Sequence, residues 1–335
     1  MPPDEAIGPD VEPASPEPAS PEPASPEPAS PEPASPEPAS PEPASAERPR
    51  FDLQGHSTQS DGELSPAETV GAARRAGIEL FALTDHDSVA GVAEAAAAAA
   101  EVGLRLVTGV EISVLDPVAA DLHLCGYAFD PADPALLAQL ARSREDRERR
   151  ATHMIAALQE NGWSVNHELL NARARAGLTI GRPHLAESVT SDPRNAERLE
   201  REGLRNPTEF LVAYLVEGKP AFRERVAPSV AEAIALLHGA GGVAVWAHPY
   251  WDVEADAEVI ATLERFVGVG LDGVEAFYVT HTRAQTELLL RRASELSLIT
   301  TGSSDFHGPS HQRFNSFGAF STFGHQPNLG RLTEV

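Results

Sequence analysis

Histidines and carboxylates stand at the ends of successive short apolar runs. His56 and Asp61 follow the first run and Asp85-His86-Asp87 the second; Glu111 ends the third and His123 lies in the fourth. His248 follows the fifth, and Asp305 and His307 follow the seventh. One histidine at such a place is ordinarily a satisfied core or surface residue. Several imidazoles and carboxylates buried together are costly without cations between them, so the set reads as ligands for metal. His, Asp and Glu without thiolate suit Zn²⁺, Mn²⁺ or Fe²⁺, with Mg²⁺ possible and less favoured. The candidates outnumber the needs of one ion, which implies two or three divalent ions. Cys125 is the only cysteine, which excludes an internal disulfide or a cysteine-rich cage. Lying beside His123 on an alternating strand, it is expected to be a small buried residue pointing away from the site.

The elements that must position these groups follow from the pattern. Apolar runs at 51–53, 80–84, 104–112, 122–127, 243–247, 273–278 and 298–301 read as strands. Helices are expected between several of them, at 89–102, 230–239, 257–267 and 283–297. Another starts at Ser65-Pro66-Ala67-Glu68, an N-cap with proline at the first position and a capping-box glutamate, and runs to Gly77. Repeated β–α alternation implies a mainly parallel sheet, and seven strands suggest a closed or nearly closed barrel. The C-terminal strand ends of such a barrel meet at one mouth, so groups some 250 positions apart in the chain can share a site. Between about 131 and 240 the rhythm breaks into a mainly helical insertion. Its mixed-charge segment 142–150, with Glu145 four residues before Arg149, is expected to be a solvated helix face.

Residues 1–50 differ in kind. Glu-Pro-Ala-Ser-Pro recurs with period five from Glu12 to Ser45, too proline-dense for helix or sheet. A disordered acidic arm with polyproline character is expected there, acting as a spacer, its protein partner unknown. Eleven of the 50 acids and none of the 26 bases occur up to Glu47, so −13 of the −24 formal charge belongs to the remainder. A net acidic body argues against stable binding to duplex nucleic acid. No apolar run approaches 18 residues and Met-Pro-Pro-Asp-Glu does not begin a secretory signal, so a cytoplasmic protein without membrane attachment is expected.

Taken together, Phe-Asp-Leu-Gln-Gly-His-Ser-Thr-Gln-Ser-Asp-Gly (51–62), Ala-Leu-Thr-Asp-His-Asp (82–87), Gly-Val-Glu-Ile-Ser (109–113), His-Leu-Cys-Gly-Tyr (123–127), Gly-Arg-Pro-His (181–184), Ala-His-Pro (247–249) and Gly-Ser-Ser-Asp-Phe-His-Gly (302–308) resemble the PHP (polymerase and histidinol phosphatase) family. They are most similar to its TrpH-like branch of metal-dependent phosphoesterases. The resemblance covers nearly everything from Phe51 to His311 and implies a distorted seven-stranded βα barrel over 51–335 with up to three metals. By it, His56, Glu111 and Asp305 would hold one ion, Glu111, His123 and His248 a second, and Asp61, His86 and His307 a third. A water activated by the metals, with no protein nucleophile, would hydrolyse phosphate monoesters. The implied substrates are nucleoside 3′,5′-bisphosphates or 5′-phosphorylated oligonucleotide ends, with histidinol phosphate as an alternative. Arg182 and His184 would meet substrate phosphate, with His184 able to add a second donor as a cation; the other reading of residues 181–184 is a loop-to-helix junction with Pro183 at the first helical position. His281, just beyond the sixth strand, is placed to face the mouth, there either to contact substrate or to shape the ligand loop. One position departs from the family, which opens Asp-x-His-x-His: here Gln54 replaces the first histidine. A carboxamide binds only through a neutral oxygen, so that metal should be held less tightly or be a harder ion. A catalytically impaired module that binds metal or nucleotide for regulation is the other reading.

Overall fold

A computed structural model describes residues 49–117, 122–175, 180–251 and 253–334, so the expected arm lies outside the described residues but for its last two. Strands β1 (Phe51–Asp52), β2 (Leu80–Leu83), β3 (Arg105–Val114), β4 (Leu122–Tyr127), β5 (Val243–Trp246), β6 (Gly273–Tyr278) and β7 (Ile299–Ser303) pair in sequence order. The Leu53 N–H donates to the Gly302 carbonyl at 3.1 Å, and Gly55 bridges Phe306, bringing the last strand back to the first. The result is the α/β barrel expected, with one strand reversed. β4 is antiparallel to both β3 and β5, whereas the other pairs are parallel. Only residues 115–121 separate β3 from β4, too few for the helical crossover that a parallel pair requires.

The interior face follows from two-residue alternation. On β3 it carries Val107, Gly109 and Glu111; on β4, read from the same end, Tyr127, Cys125 and His123, with Glu111 paired to Cys125 in register. Leu53, Leu80, Ala82, Val243, Val245 and Leu332 complete an apolar floor with Val107, Cys125 and Tyr127. The barrel is therefore greasy at one end and polar at the other. Cys125 does not point away from the site: two residues from His123, it shares that face and lies one step deeper, closed off in the floor.

Helices cover the outside. Helices α1 (Pro66–Arg75) and α2 (Val92–Val102) close over β2, and Ser65 and Glu68 form the expected capping box. Helices α8 (Val230–Gly239), α9 (Asp256–Val267) and α10 (Arg283–Glu295) pack on β3 to β6 with the first turns of α3 (Pro134–Glu160). The insertion has a separate core. There the end of α3 joins α4 (His167–Arg175), α5 (Arg182–Thr190), α6 (Ala196–Glu202) and α7 (Pro207–Tyr214) around Met154, Leu158, Trp163 and Phe210. Because α8 belongs to the barrel layer, the insertion proper ends before Val230. Segment 142–150 is only partly a solvated face. Arg149 pairs with Asp146 rather than Glu145, while Arg144 and Arg147 turn inward onto Asp87. Among the described residues, no helix is long and apolar enough to cross a membrane.

Gly302 shows how tightly the mouth is drawn. A Cβ there would lie 2.6 Å from Phe277 Cβ and 2.8 Å from its carbonyl oxygen, at the register shift between β6 and β7. Gly302→Ala is expected to destabilise the fold by about 1–3 kcal/mol, read as a lower Tm in thermal unfolding. An unchanged Tm would mean that the strand end has room to yield.

Candidate metal centre

Glu111, 1% exposed, lies at the middle of the polar mouth. One carboxylate oxygen is 3.1 Å from His56 Nε2 and 3.4 Å from His86 Nδ1; the other is 2.9 Å from His123 Nδ1 and 3.1 Å from His248 Nε2. Asp305 Oδ1 stands 3.0 Å from His56 Nε2, and Asp61 lies 3.6–3.8 Å from His56, His86 and His307. All eight candidate ligands are thus gathered. His123 reaches them from the start of its strand because β4 is reversed, putting its N-terminal end at the mouth where its neighbours' C-terminal ends lie.

Ligand atoms close enough to share an ion fall into three overlapping groups: His56, Glu111 and Asp305; His86, Glu111 and His123; and His56, Asp61, His86 and His307. His86 therefore stands between the last two groups, nearer to Glu111 than the resemblance implied. Buried atoms without a hydrogen-bond partner cluster here too: Oε1 of Gln54, Oδ1 of Asp61 and Nδ1 of His86, His123 and His248. His56 Nε2 with Asp305 Oδ1 and His248 Nε2 with Glu111 Oε1 meet as hydrogen bonds of 3.0 and 3.1 Å, while Asp61 and its imidazole neighbours only approach one another. Crowded N and O donors that satisfy one another poorly, with no thiolate, are the donor chemistry of divalent metal.

The loops that present these groups are strained and anchored. Asp87, His248 and Asp305 have φ of 51°, 31° and 52°, values non-glycine residues adopt at a cost. The Glu275 carboxylate accepts the His248 backbone N–H at 2.8 Å and the Ser303 hydroxyl at 2.6 Å. Asp52 accepts the Ser304 N–H and hydroxyl and the Gly318 N–H, fixing the residue before Asp305. Asp85 accepts the Ser57 N–H and the Ser57 and Ser60 hydroxyls, which holds the turn between His56 and Asp61. Tyr278 donates its hydroxyl to Asp305 Oδ2 at 2.8 Å. Sequence reading missed these supports. An acid in the middle of an otherwise apolar strand, as in Gly273-Val-Glu-Ala-Phe-Tyr, was the available signal.

Burial and charge divide the carboxylates into two sets. Burial raises the Asp52 carboxyl to about 7 and that of Glu275 to about 8, outweighing the hydrogen bonds to both and the charge of His248 near Glu275. Burial would raise Glu111 as well, but the charges of His86 and His123 and hydrogen bonds from His123 and His248 hold it well below the usual range. Asp61 is likewise held low against its burial by His86, His307 and His56. The anchors thus tend to neutrality while the central acids are held as anions, although burial lowers His86 itself to about 3.

The insertion adds positive charge beside the mouth. Burial and the field of Asp61 both act on Arg173 of α4, and Arg147 of α3 feels Asp61 and Glu111 while bonding Asp87 Oδ2 at 2.5 Å. Arg182 opens α5 and is partly buried. His184 accepts the Gly181 N–H on Nδ1, and burial with the nearby Arg173 lowers it to about 4. Both effects disfavour its cationic form. His281 bonds the Ala276 carbonyl through Nδ1 and packs against Tyr250 and Tyr278, with Nε2 buried and unpartnered.

The PHP domain model matches residues 52–206. A 5′-3′ exoribonuclease of Haemophilus influenzae is 35% identical over 260 residues, spanning 78% of this chain and 90% of that protein. The chain belongs to the PHP family. A 3′,5′-nucleoside bisphosphate phosphatase of Chromobacterium violaceum is 32% identical over 268 residues, covering 77% of this chain and 87% of the relative. A crystal structure described as a metal-dependent phosphoesterase, from Bifidobacterium adolescentis, aligns with TM-score 0.69 at 28% identity over 86% of this chain and 96% of that one. This PHP protein is a metal-dependent hydrolase of phosphoester bonds.

His248→Ala and Asp305→Asn are each expected to lower phosphoester hydrolysis by on the order of 100-fold or more, with near-native circular dichroism, since both groups serve the mouth rather than the floor. Near wild-type turnover in either would remove that residue from the centre.

Proposed function

We propose that the chain is a phosphatase of small nucleotides, acting on nucleoside 3′,5′-bisphosphates or on the 5′-phosphorylated ends of oligonucleotides. The observation that carries this reading is the meeting of three overlapping donor groups around Glu111 with Arg147 and Arg173 beside Asp61. Anionic donors suit cations, and guanidinium groups beside them suit phosphate oxygens. The names of the two relatives point to nucleotide substrates. In this reading residues 51–335 form the catalytic unit, residues 1–50 an appended arm, and two or three ions of Mn²⁺, Zn²⁺ or Fe²⁺ are held by His56, Asp61, His86, Glu111, His123, His248, Asp305 and His307.

Bound ions would supply Lewis-acid charge at the phosphoryl group and lower the pKa of water. The chain's own residues do the rest. Arg173, Arg147 and Arg182 draw the phosphate in, and His184, with Nδ1 occupied by Gly181, is left to donate from Nε2. Tyr278 holds Asp305 in one orientation. Cys125 is buried and kept as the thiol by that burial, so it provides no nucleophile. Phosphate release from a panel of nucleoside 3′,5′-bisphosphates, 5′-phosphorylated oligonucleotides and histidinol phosphate, with Mn²⁺, Zn²⁺ or Mg²⁺ added, tests the reading. Turnover confined to histidinol phosphate would overturn the nucleotide assignment.

One observation favours the impaired-module reading. The Gln54 amide, fully buried, donates Nε2 to Glu111 Oε2 at 3.0 Å and leaves Oε1 without a partner. If Oε1 serves as a neutral donor, Gln54→His replaces it with imidazole nitrogen and should shift metal preference from Mn²⁺ toward Zn²⁺ by roughly 10-fold. Metal content per chain, measured on both proteins side by side, reads this out. Equal and low stoichiometry without turnover in either would leave the binding module standing.

A further inference from the structure

Trp251 is 46% exposed, the one exposed tryptophan, tyrosine or phenylalanine among the described residues. It stands three positions after His248, in a turn closed by its own N–H donating to the His248 carbonyl at 2.8 Å. Its ring lies 6.4 Å from His248, 6.4 Å from Tyr278 and 5.7 Å from Phe314. Phe314 stacks on His311 at 5.1 Å and stands 5.6 Å from His307. Arg313 holds its guanidinium 5.6 Å from the Trp251 ring centre. An aromatic wall with an attached cation thus runs from two candidate ligands outward to solvent.

One exposed indole is ordinary on a protein surface, but this one continues a line of rings that begins at two candidate ligands. We propose that Trp251, backed by Phe314 and flanked by Arg313, is a stacking shelf for the base of a nucleotide whose phosphate lies at the metal centre. The inference rests on the nucleotide reading above and adds the group that distinguishes a nucleotide from other phosphate esters. A ribose separates phosphate from base in such a substrate, and the shelf lies just beyond His248 in the same way. Stacking needs only a π-face, which every base offers, and a guanidinium strengthens it, so the shelf selects for a base without choosing strongly among bases.

Two measurements on the full chain test this. The first is tryptophan fluorescence during titration with AMP and, separately, ribose 5-phosphate; Trp163 and Trp246 are 2% and 0% exposed, so quenching reports Trp251. AMP is expected to quench, ribose 5-phosphate is not, and Trp251→Ala is expected to lose the response. The second is steady-state hydrolysis of adenosine 3′,5′-bisphosphate and its abasic counterpart. Trp251→Ala is expected to raise KM for the nucleotide by about 5- to 100-fold with the loss on KM rather than kcat, and Trp251→Phe to restore most of it. Equal wild-type KM for the nucleotide and the abasic compound, or AMP quenching that survives Trp251→Ala, would overturn the shelf and leave the phosphatase standing. AMP quenching intact with no turnover of any nucleotide would overturn the phosphatase reading and keep the shelf.

Discussion

Four imidazoles lie within 3.4 Å of the Glu111 carboxylate, and the electrostatics of that one buried acid set the terms for everything around it. A carboxylate taken out of water keeps its charge only where positive charge or hydrogen-bond donors come to it. His56, His86, His123 and His248 arrive from four different segments of the barrel, so none can be moved without disturbing the others. Three of the loops in this neighbourhood hold backbone in the left-handed region, a cost repaid by buried hydrogen bonds to Glu275, Asp52 and the main chain. The second ring of acids is thereby explained: Asp52, Asp85 and Glu275 fix backbone and hydroxyls and leave the facing of cations to Glu111, Asp61 and Asp305.

The barrel makes this possible through a gradient along its interior. Alternation sends Val107 and Glu111 to the same side of β3, and Tyr127, Cys125 and His123 to the same side of β4. Dry packing at one end stiffens the strands whose other ends carry the polar groups. The reversal of β4 extends the arrangement, for it lets a short connection return the chain while still delivering a histidine to the mouth.

Most of the fold and nearly all of the candidate site were legible in the sequence, for a definite reason. Strand positions follow from apolar runs, and polar groups at the ends of apolar runs are expensive enough to be conspicuous. What escaped depended on three-dimensional direction. The strand run at 122–127 carries no sign of its orientation, which is set by the length of the link before it. Cys125 was misplaced because its two-residue offset from His123 puts both on one face. Arg147 sits in a run of mixed charges that looks like any wet helix surface, and only the packing of α3 against Asp87 shows which arginines turn inward. His184 has the same composition whether charged or neutral; burial beside Arg173 decides it. Glu275 reads as an ordinary strand residue until its backbone partner, distant in the chain, is known.

The separate core of the insertion has an evolutionary consequence. Met154, Leu158, Trp163 and Phe210 hold α4 to α7 together without borrowing from the barrel floor, yet α4 and α5 bring Arg173 and His184 to the mouth. Selection can therefore redraw the helical insertion while the barrel and its gathered ligands stay as they are. A lineage built on this plan could diversify its diet by exchanging one helical module, leaving its chemistry inherited intact.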